Sequence, residues 1–366
     1  MLVKDIIAAI EAHAPLTYQE SYDNCGLQVG NAEDEVKGVL LSLDVTEAVV
    51  DEAISRGCNM IVAHHPVIFA GLKSITGRNY VERVVLKAIK NSIAIYAAHT
   101  NLDNMYSGVN AMIAEKLGLV DTTILQPKTN TLSKLYTYAP AEVADKVRDA
   151  LFAAGAGHIS NYRECSFNTP GKGTFRAQPG TNPAIGAAGG EREWVDEIKI
   201  EVIVEKHAES RVLRALFENH TYEEVAYELV PLPNPNQRIG SGMVGNLPHP
   251  AETTAFLNQL KKQMKTDCIR HTALLKDSIS RIAVCGGSGS FLLKDAIRAG
   301  ADLFITGDFK YHQFFDAEDK IVIADIGHYE SEQFTVEIFE RILKEKFPTF
   351  AVLLANSNTN PVKYYY

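Results

Sequence analysis

The chain has 366 residues, 46% of them hydrophobic and 22% charged, with a formal net charge of −9. That length suits two or three domains around a large buried core. An acidic balance with no basic block argues against a broad nucleic-acid-binding face, and no apolar run reaches the roughly 18 residues that a membrane span needs.

The first stretch, Met1-Leu2-Val3-Lys4-Asp5-Ile6-Ile7-Ala8-Ala9-Ile10, carries apolar residues at helical spacing and is broken by Asp5. It reads as an amphipathic helix and not as a signal peptide. Residues 36–103 then alternate strand and helix signals. Strands are expected over 38–43, 60–63 and 93–97, and helices over 46–56 and 80–90. This βαβαβ order implies a parallel sheet with right-handed crossovers.

A different pattern fills the middle of the chain. Residues 134–138 read as strand, 141–153 as helix, 158–167 and 197–204 as strands, 208–218 as helix and 225–230 as strand. The two central strands are expected to be joined by a long turn over the Gly/Pro/Asn-rich residues 168–190. The order βαββαβ is that of a ferredoxin-like domain. Pro231-Leu232-Pro233-Asn234-Pro235-Asn236 reads as a linker out of it.

The first pattern then returns, with a strand over 282–285, a helix over 291–298 and a strand over 302–306. Glu52-Ala53-Ile54-Ser55-Arg56-Gly57 is matched by Asp295-Ala296-Ile297-Arg298-Ala299-Gly300, each leading into an apolar strand. A chance likeness of two helix-Gly-strand units is the alternative to a repeat. The expected fold is α/β, with two related core halves of mostly parallel sheet at 1–130 and 236–366. An inserted α+β ferredoxin-like domain occupies 131–235. His64-His65 and Gly307-Asp308 then fall at equivalent strand ends.

The chemistry concentrates at those ends. His64 and His65 close the apolar run Ile61-Val62-Ala63, and Pro66 stops the strand. Polar side chains at the exit of a buried strand are costly unless something needs them there. Asp103 follows the strand ending at Ala97, and His328 and Glu332 follow Ile321-Val322-Ile323-Ala324-Asp325. Spaced i, i+4, His328 and Glu332 share one helical face. Three imidazoles and two carboxylates suit two divalent ions, whether zinc, iron, manganese or cobalt. Such a pair can activate water and polarise a phosphoryl or carbon centre. Each piece has a bland alternative. His328 and Glu332 could be helix-terminus chemistry, Asp103 could open a turn, and His99 and His312 could be structural histidines. Gly286-Gly287-Ser288-Gly289-Ser290 could cradle phosphate, although a tight strand-to-helix turn explains it better. Five scattered cysteines without a CxxC pair imply no disulfide framework and point to reducing cytoplasm.

These residues resemble the GTP cyclohydrolase I type 2 family, also called Ngg-interacting-factor-three-like. The matching motifs are Tyr22-Asp23-Asn24-Cys25-Gly26-Leu27-Gln28-Val29-Gly30, Ala63-His64-His65-Pro66, His99-Thr100-Asn101-Leu102-Asp103, Gly286-Gly287-Ser288-Gly289, Thr306-Gly307-Asp308-Phe309-Lys310-Tyr311-His312 and Gly327-His328-Tyr329-Glu330-Ser331-Glu332. The resemblance implies a dinuclear site with His65 and Asp103 on one ion, His64 and His328 on the other, and Glu332 bridging. It also implies a ring-shaped homohexamer and an insert similar to PII and CutA proteins. The expected function is metal-dependent hydrolysis of a nucleotide or related phosphorylated small molecule, with GTP ring opening as the named candidate. His99 or His312 would shuttle protons. The rivals are a dinuclear phosphoesterase and a metal-binding regulatory or assembly protein whose insert senses a ligand.

Overall fold

The computed structural model describes residues 1–159 and 161–365. The chain forms two compact units. One joins Met1–Pro127 to the residues from Arg238 onward, and the other is Lys128–Gln237.

The first unit is built on two sheets. In one, the strands run in the order Gly26–Val29, Ala94–Ala97, Met60–Ala63, Val39–Ser42, Val352–Leu354. The last four are parallel, and Gly26–Val29 is the antiparallel edge. In the other, the order is Arg270–His271, Val322–Asp325, Leu303–Gly307, Ser278–Ser288, Asn236–Glu252, Val120–Lys128. Here three parallel strands are flanked by antiparallel neighbours. The three parallel strands next to the antiparallel edge of the first sheet, Ala94–Ala97, Met60–Ala63 and Val39–Ser42, thus match the parallel triplet of the second.

Alternation along the strands sorts their side chains. Leu41, Val62 and Tyr96 of the first sheet share a core with Val284, Ile305 and Ala324 of the second. Ile6, Ile113, Phe256 and Phe339 from four helices pack into the same core. The opposite face of the first sheet, with Leu40, Ile61 and Ile95, is covered by Val49, Ala53, Val84 and Ala88. Ala283, Phe304 and Ile323 are covered likewise by Leu293 and Ala296. Both faces of each parallel triplet are therefore buried, which is why these strands read as continuous apolar runs. Thr46 opens the helix Glu47–Ser55 by accepting the Val49 N–H, and Asn79 opens Tyr80–Lys90 by accepting from Glu82.

In the second unit the elements run Leu132–Pro140, Ala144–Ala153, Ser166–Phe175, Glu193–Glu205, Glu209–Asn219, Tyr227–Leu232. Four strands pair antiparallel in the order Ser166–Phe175, Glu193–Glu205, Leu132–Pro140, Tyr227–Leu232. Leu135, Val147, Leu151, Ile200, Val202 and Leu216 form its core.

Two expectations need correction. The strand expected over 158–167 begins only at Ser166 and runs to Phe175, into the stretch read as a turn. It is an edge strand, almost entirely exposed, so Pro170, Gly171 and Gly173 are tolerated and no apolar alternation marks it. Residues 231 and 232 finish the strand Tyr227–Leu232, and Asn236 already opens another, so the expected linker shrinks to three residues. The Gly286 segment leads from strand to helix as the tight turn preferred above. Its N–H groups donate to Asn110 Oδ1, Ser331 Oγ and Thr306 Oγ1 from Gly286, Gly287 and Gly289, so they are already engaged.

Candidate metal centre

Strand ends deliver the candidate ligands. His64 and His65 follow Met60–Ala63 where the chain turns, with the His65 N–H on the Leu43 carbonyl at 2.9 Å. Asp103 ends the short helix Thr100–Asp103 after Ala94–Ala97. His328 and Glu332 bound the helix His328–Glu332 after Val322–Asp325. The carboxyl ends of parallel strands are where open α/β sheets place their sites.

All five side chains meet. His65 Nε2 and His328 Nε2 lie 2.9 and 3.0 Å from Glu332 Oε2 and 3.3 Å from each other. His64 Nε2 lies 3.5 Å from Asp103 Oδ1 and 3.8 Å from Glu332 Oε1. The donor atoms form three groups that could each hold an ion: His64, His65 and His99, all from the first half, and two that combine both halves, His65, His328 and Glu332, and His64, Asp103 and Glu332. Glu332 is common to the last two.

Two observations test whether these residues fit metal. First, His64 is fully buried, and its Nε2 finds no hydrogen-bond partner among the described residues; neither does Asp103 Oδ1. An unmet buried polar atom costs roughly 1–3 kcal/mol, so two facing each other call for something between them. Second, each imidazole is held from behind. His64 Nδ1 donates to the Ala98 carbonyl at 2.9 Å, His65 Nδ1 meets Asp44 Oδ1 at 2.7 Å, and His328 Nδ1 meets Asp308 Oδ2 at 2.7 Å. Every Nε2 is thereby turned inward, the arrangement that orients metal-binding histidines. For ions with ligand bonds of about 2.0–2.1 Å, tetrahedral neighbours sit about 3.3 Å apart, which the observed spacings bracket.

The electrostatics agree. Burial works against the Glu332 carboxylate, but the contacts from His328 and His65 hold it well below the usual range. Asp103 is pushed up by burial, with the Glu332 charge adding to the effect. Burial would lower His65, yet its bonds to Asp44 and Glu332 raise it to about 10. His328 is raised to about 11 against the same burial by Asp308 and Glu332. Protons on His65 and His328 thus balance Asp44, Asp308 and Glu332, work that divalent cations could take over.

His99 joins the cluster, its ring 5.2 Å from that of His64 and 5.3 Å from that of His65. Its Nδ1 is held at 2.9 Å by Asp23, whose buried carboxylate also accepts from the Thr100 N–H and hydroxyl and the Cys25 thiol. His312 is not brought to the site: it stands exposed beside Tyr311 and Phe315. Asp44, Asp23 and Asp308 carry supporting roles that the sequence reading did not assign. Asp44 follows the strand Val39–Ser42, so the strand-end rule that found the ligands could have found it too. A cavity of about 600 Å³ opens on the cluster, lined by His65, Phe69, His99, Arg270, Asp308 and His328 among others. The five cysteines are free thiols, and no helix among the described residues is long and apolar enough to cross a membrane.

Comparison with known proteins agrees with this architecture. The family model Duf34/NIF3 (NGG1p interacting factor 3) matches residues 1–361. A Halalkalibacterium halodurans protein described as "GTP cyclohydrolase 1 type 2 homolog" is 41% identical over 361 residues, 97% of each chain. Its Bacillus subtilis counterpart is 37% identical over 98% of this chain and 97% of its own. A crystal structure of a Bacillus cereus protein related to NIF3 superposes with a TM-score of 0.87 at 36% identity, covering 100% of this chain and 99% of the other. This chain belongs to the Duf34/NIF3 family.

Proposed function

We propose that the protein is a dinuclear metal-dependent hydrolase of a nucleotide or related phosphorylated small molecule, with His64, His65, Asp103, His328 and Glu332 as ligands. The observation that carries this reading is the set of three inward-facing Nε2 atoms, each fixed from behind by a carbonyl or carboxylate, around a carboxylate shared by two donor groups. When bound, a pair of zinc, iron, manganese or cobalt ions would supply Lewis-acid activation of water and of the substrate.

The chain's own residues supply the rest. The Asp23 carboxylate holds Nδ1 of His99 and leaves the other ring nitrogen to take or give a proton in the cavity. Phe69 and Tyr329 offer aromatic faces to a planar base, and Arg270, ion-paired with Asp325, offers guanidinium N–H donors at the cavity wall. The volume is in the range of small-molecule sites. The names of the curated relatives make GTP the first substrate to try, with ring opening at C8 as the reaction. A homohexamer remains part of the proposal, to be tested by mass in solution.

A regulatory reading has its own support. The unit Lys128–Gln237, proposed as a PII/CutA-like insert, carries a cavity of about 480 Å³ lined by Tyr138, Phe175, Glu197 and Tyr222. Turnover separates the two. Metal-reconstituted protein is incubated with a nucleotide panel, GTP first, and assayed for formate and phosphate. Formate supports cyclohydrolase chemistry, and phosphate alone moves the assignment to phosphoesterase. Neither product with any of the four metals overturns the enzyme reading.

A further inference from the structure

The segment after the strand Val352–Leu354 has no regular structure, yet it makes ordered contacts. Glu52 accepts the N–H of Asn356 at 2.8 Å and both the N–H and hydroxyl of Ser357, at 2.9 and 2.7 Å. The Thr359 hydroxyl donates to Asp44 Oδ2 at 2.6 Å. The Asn360 amide donates to Glu330 Oε1 at 2.9 Å. Three carboxylates from three elements thus hold one irregular strap. Asp44 belongs to the first sheet's strand ends, and Glu330 to the helix that carries His328 and Glu332. Asn360, Pro361, Val362 and Tyr364 then line the same cavity as His65 and His328.

The Thr359 contact has a specific consequence. Asp44 uses Oδ2 for the Thr359 hydroxyl and Oδ1 for His65 Nδ1. With one oxygen pinned, the carboxylate cannot swing freely, and its other oxygen stays on the imidazole. We propose that Thr359 is a positioning residue for the metal centre, acting through Asp44 on His65, and that residues 356–364 are thereby coupled to metal binding. The inference rests on the metal reading of the five ligands. Coupling is reciprocal: a strap that favours the ligand geometry is itself held more tightly once the ligands are engaged.

The test uses the full chain, with Zn²⁺ and Co²⁺ each added alone. Affinity is measured by chelator competition for the parent, Thr359→Val and Thr359→Ser. Removing a group that directly holds a metal-binding imidazole typically costs 10–100-fold in affinity. Thr359 acts one bond further out, so Thr359→Val should lose about threefold to tenfold. Thr359→Ser keeps the hydroxyl and should restore most of that loss. Amide hydrogen exchange over 356–364 should slow on metal addition in the parent, and less so in Thr359→Val. Equal affinity in parent and Thr359→Val overturns the inference, and so does a parent strap whose exchange ignores metal. If the parent binds metal and Thr359→Val matches it, only the role of Thr359 falls. A parent that takes up no metal overturns the metal reading as well.

Discussion

The two sheets of the larger unit give the same strand ends different tasks. At the middle strand of the first triplet, Ala63 is followed by two ligand candidates, His64 and His65. At the middle strand of the second, Gly307 is followed by Asp308, which holds a ligand but joins no donor group. One strand over, the first half gives Asp103 three residues into a short helix, and the second gives His328 and Glu332 one turn apart. At the remaining strand the first half gives Asp44, and the second gives a glycine turn whose N–H groups are satisfied by side chains. Similar frameworks thus contribute unequal parts, and the two donor groups that contain Glu332 form only because both halves deliver.

The largest expected effect falls on Glu332, which the two groups that span both halves share. Glu332→Gln should lower affinity for both ions by more than about 100-fold, whereas His99→Ala should leave metal content near the parent's. Elemental analysis after dialysis checks this, and a His99→Ala protein as empty as Glu332→Gln would make His99 a ligand.

Next come the two supporting carboxylates. Asp44→Asn and Asp308→Asn should each weaken metal binding by about 10–100-fold. Asp44 should matter more, because its side chain is 32% exposed against 50% for Asp308 and it is pinned from both sides. The reverse order in metal titrations would shift weight to the second half.

Gly287 probes the crowded turn. Its φ is +62°, and a Cβ there would lie 2.4 Å from Glu332 Oε1. Gly287→Ala should cost about 1–3 kcal/mol of stability through backbone strain and push Glu332 off its partners. Denaturant unfolding with and without metal separates the two effects.

The metal-free protein should depend on pH in one direction. His65 and His328 are raised to about 10 and about 11 in the fold. A raised group binds its proton more tightly when folded, so its contribution is full below about pH 6.5, the unfolded value. It declines from there and is gone above about pH 10 to 11. Thermal melting of metal-free protein should fall across that window, while metal-loaded protein changes less. Because metal must displace those protons, its apparent affinity should rise with pH.

The smallest effect is expected from removing residues 128–237. The ligand candidates all lie outside that unit, and its two ends are adjacent, since a Cβ on Gly240 would lie 2.8 Å from Pro127 Cα. A short Gly/Ser bridge should leave metal content unchanged. Loss of metal in a folded deletion protein would tie the second unit to the centre.

Much of this organisation was legible in the sequence for a definite reason. Strands buried on both faces, such as Met60–Ala63 and Val322–Asp325, are continuous apolar runs, and polar residues at their ends stand out. Ser166–Phe175 was misread because an exposed edge strand owes its place to backbone pairing with Glu193–Glu205, which leaves little mark on composition. Asn236–Glu252, punctuated by Gly240, Gly242 and Gly245, gave no strand signal, because these glycines fit close neighbours and not an alternating face. Thr359 was invisible for another reason: its partner Asp44 is 315 positions away, and no local spacing encodes that contact.

The most direct test of the central claim is metal stoichiometry measured on reconstituted parent and Glu332→Gln protein side by side. A carboxylate shared by two donor groups predicts close to two ions per chain in the parent and few or none in the variant. Equal metal content in the two proteins would contradict it.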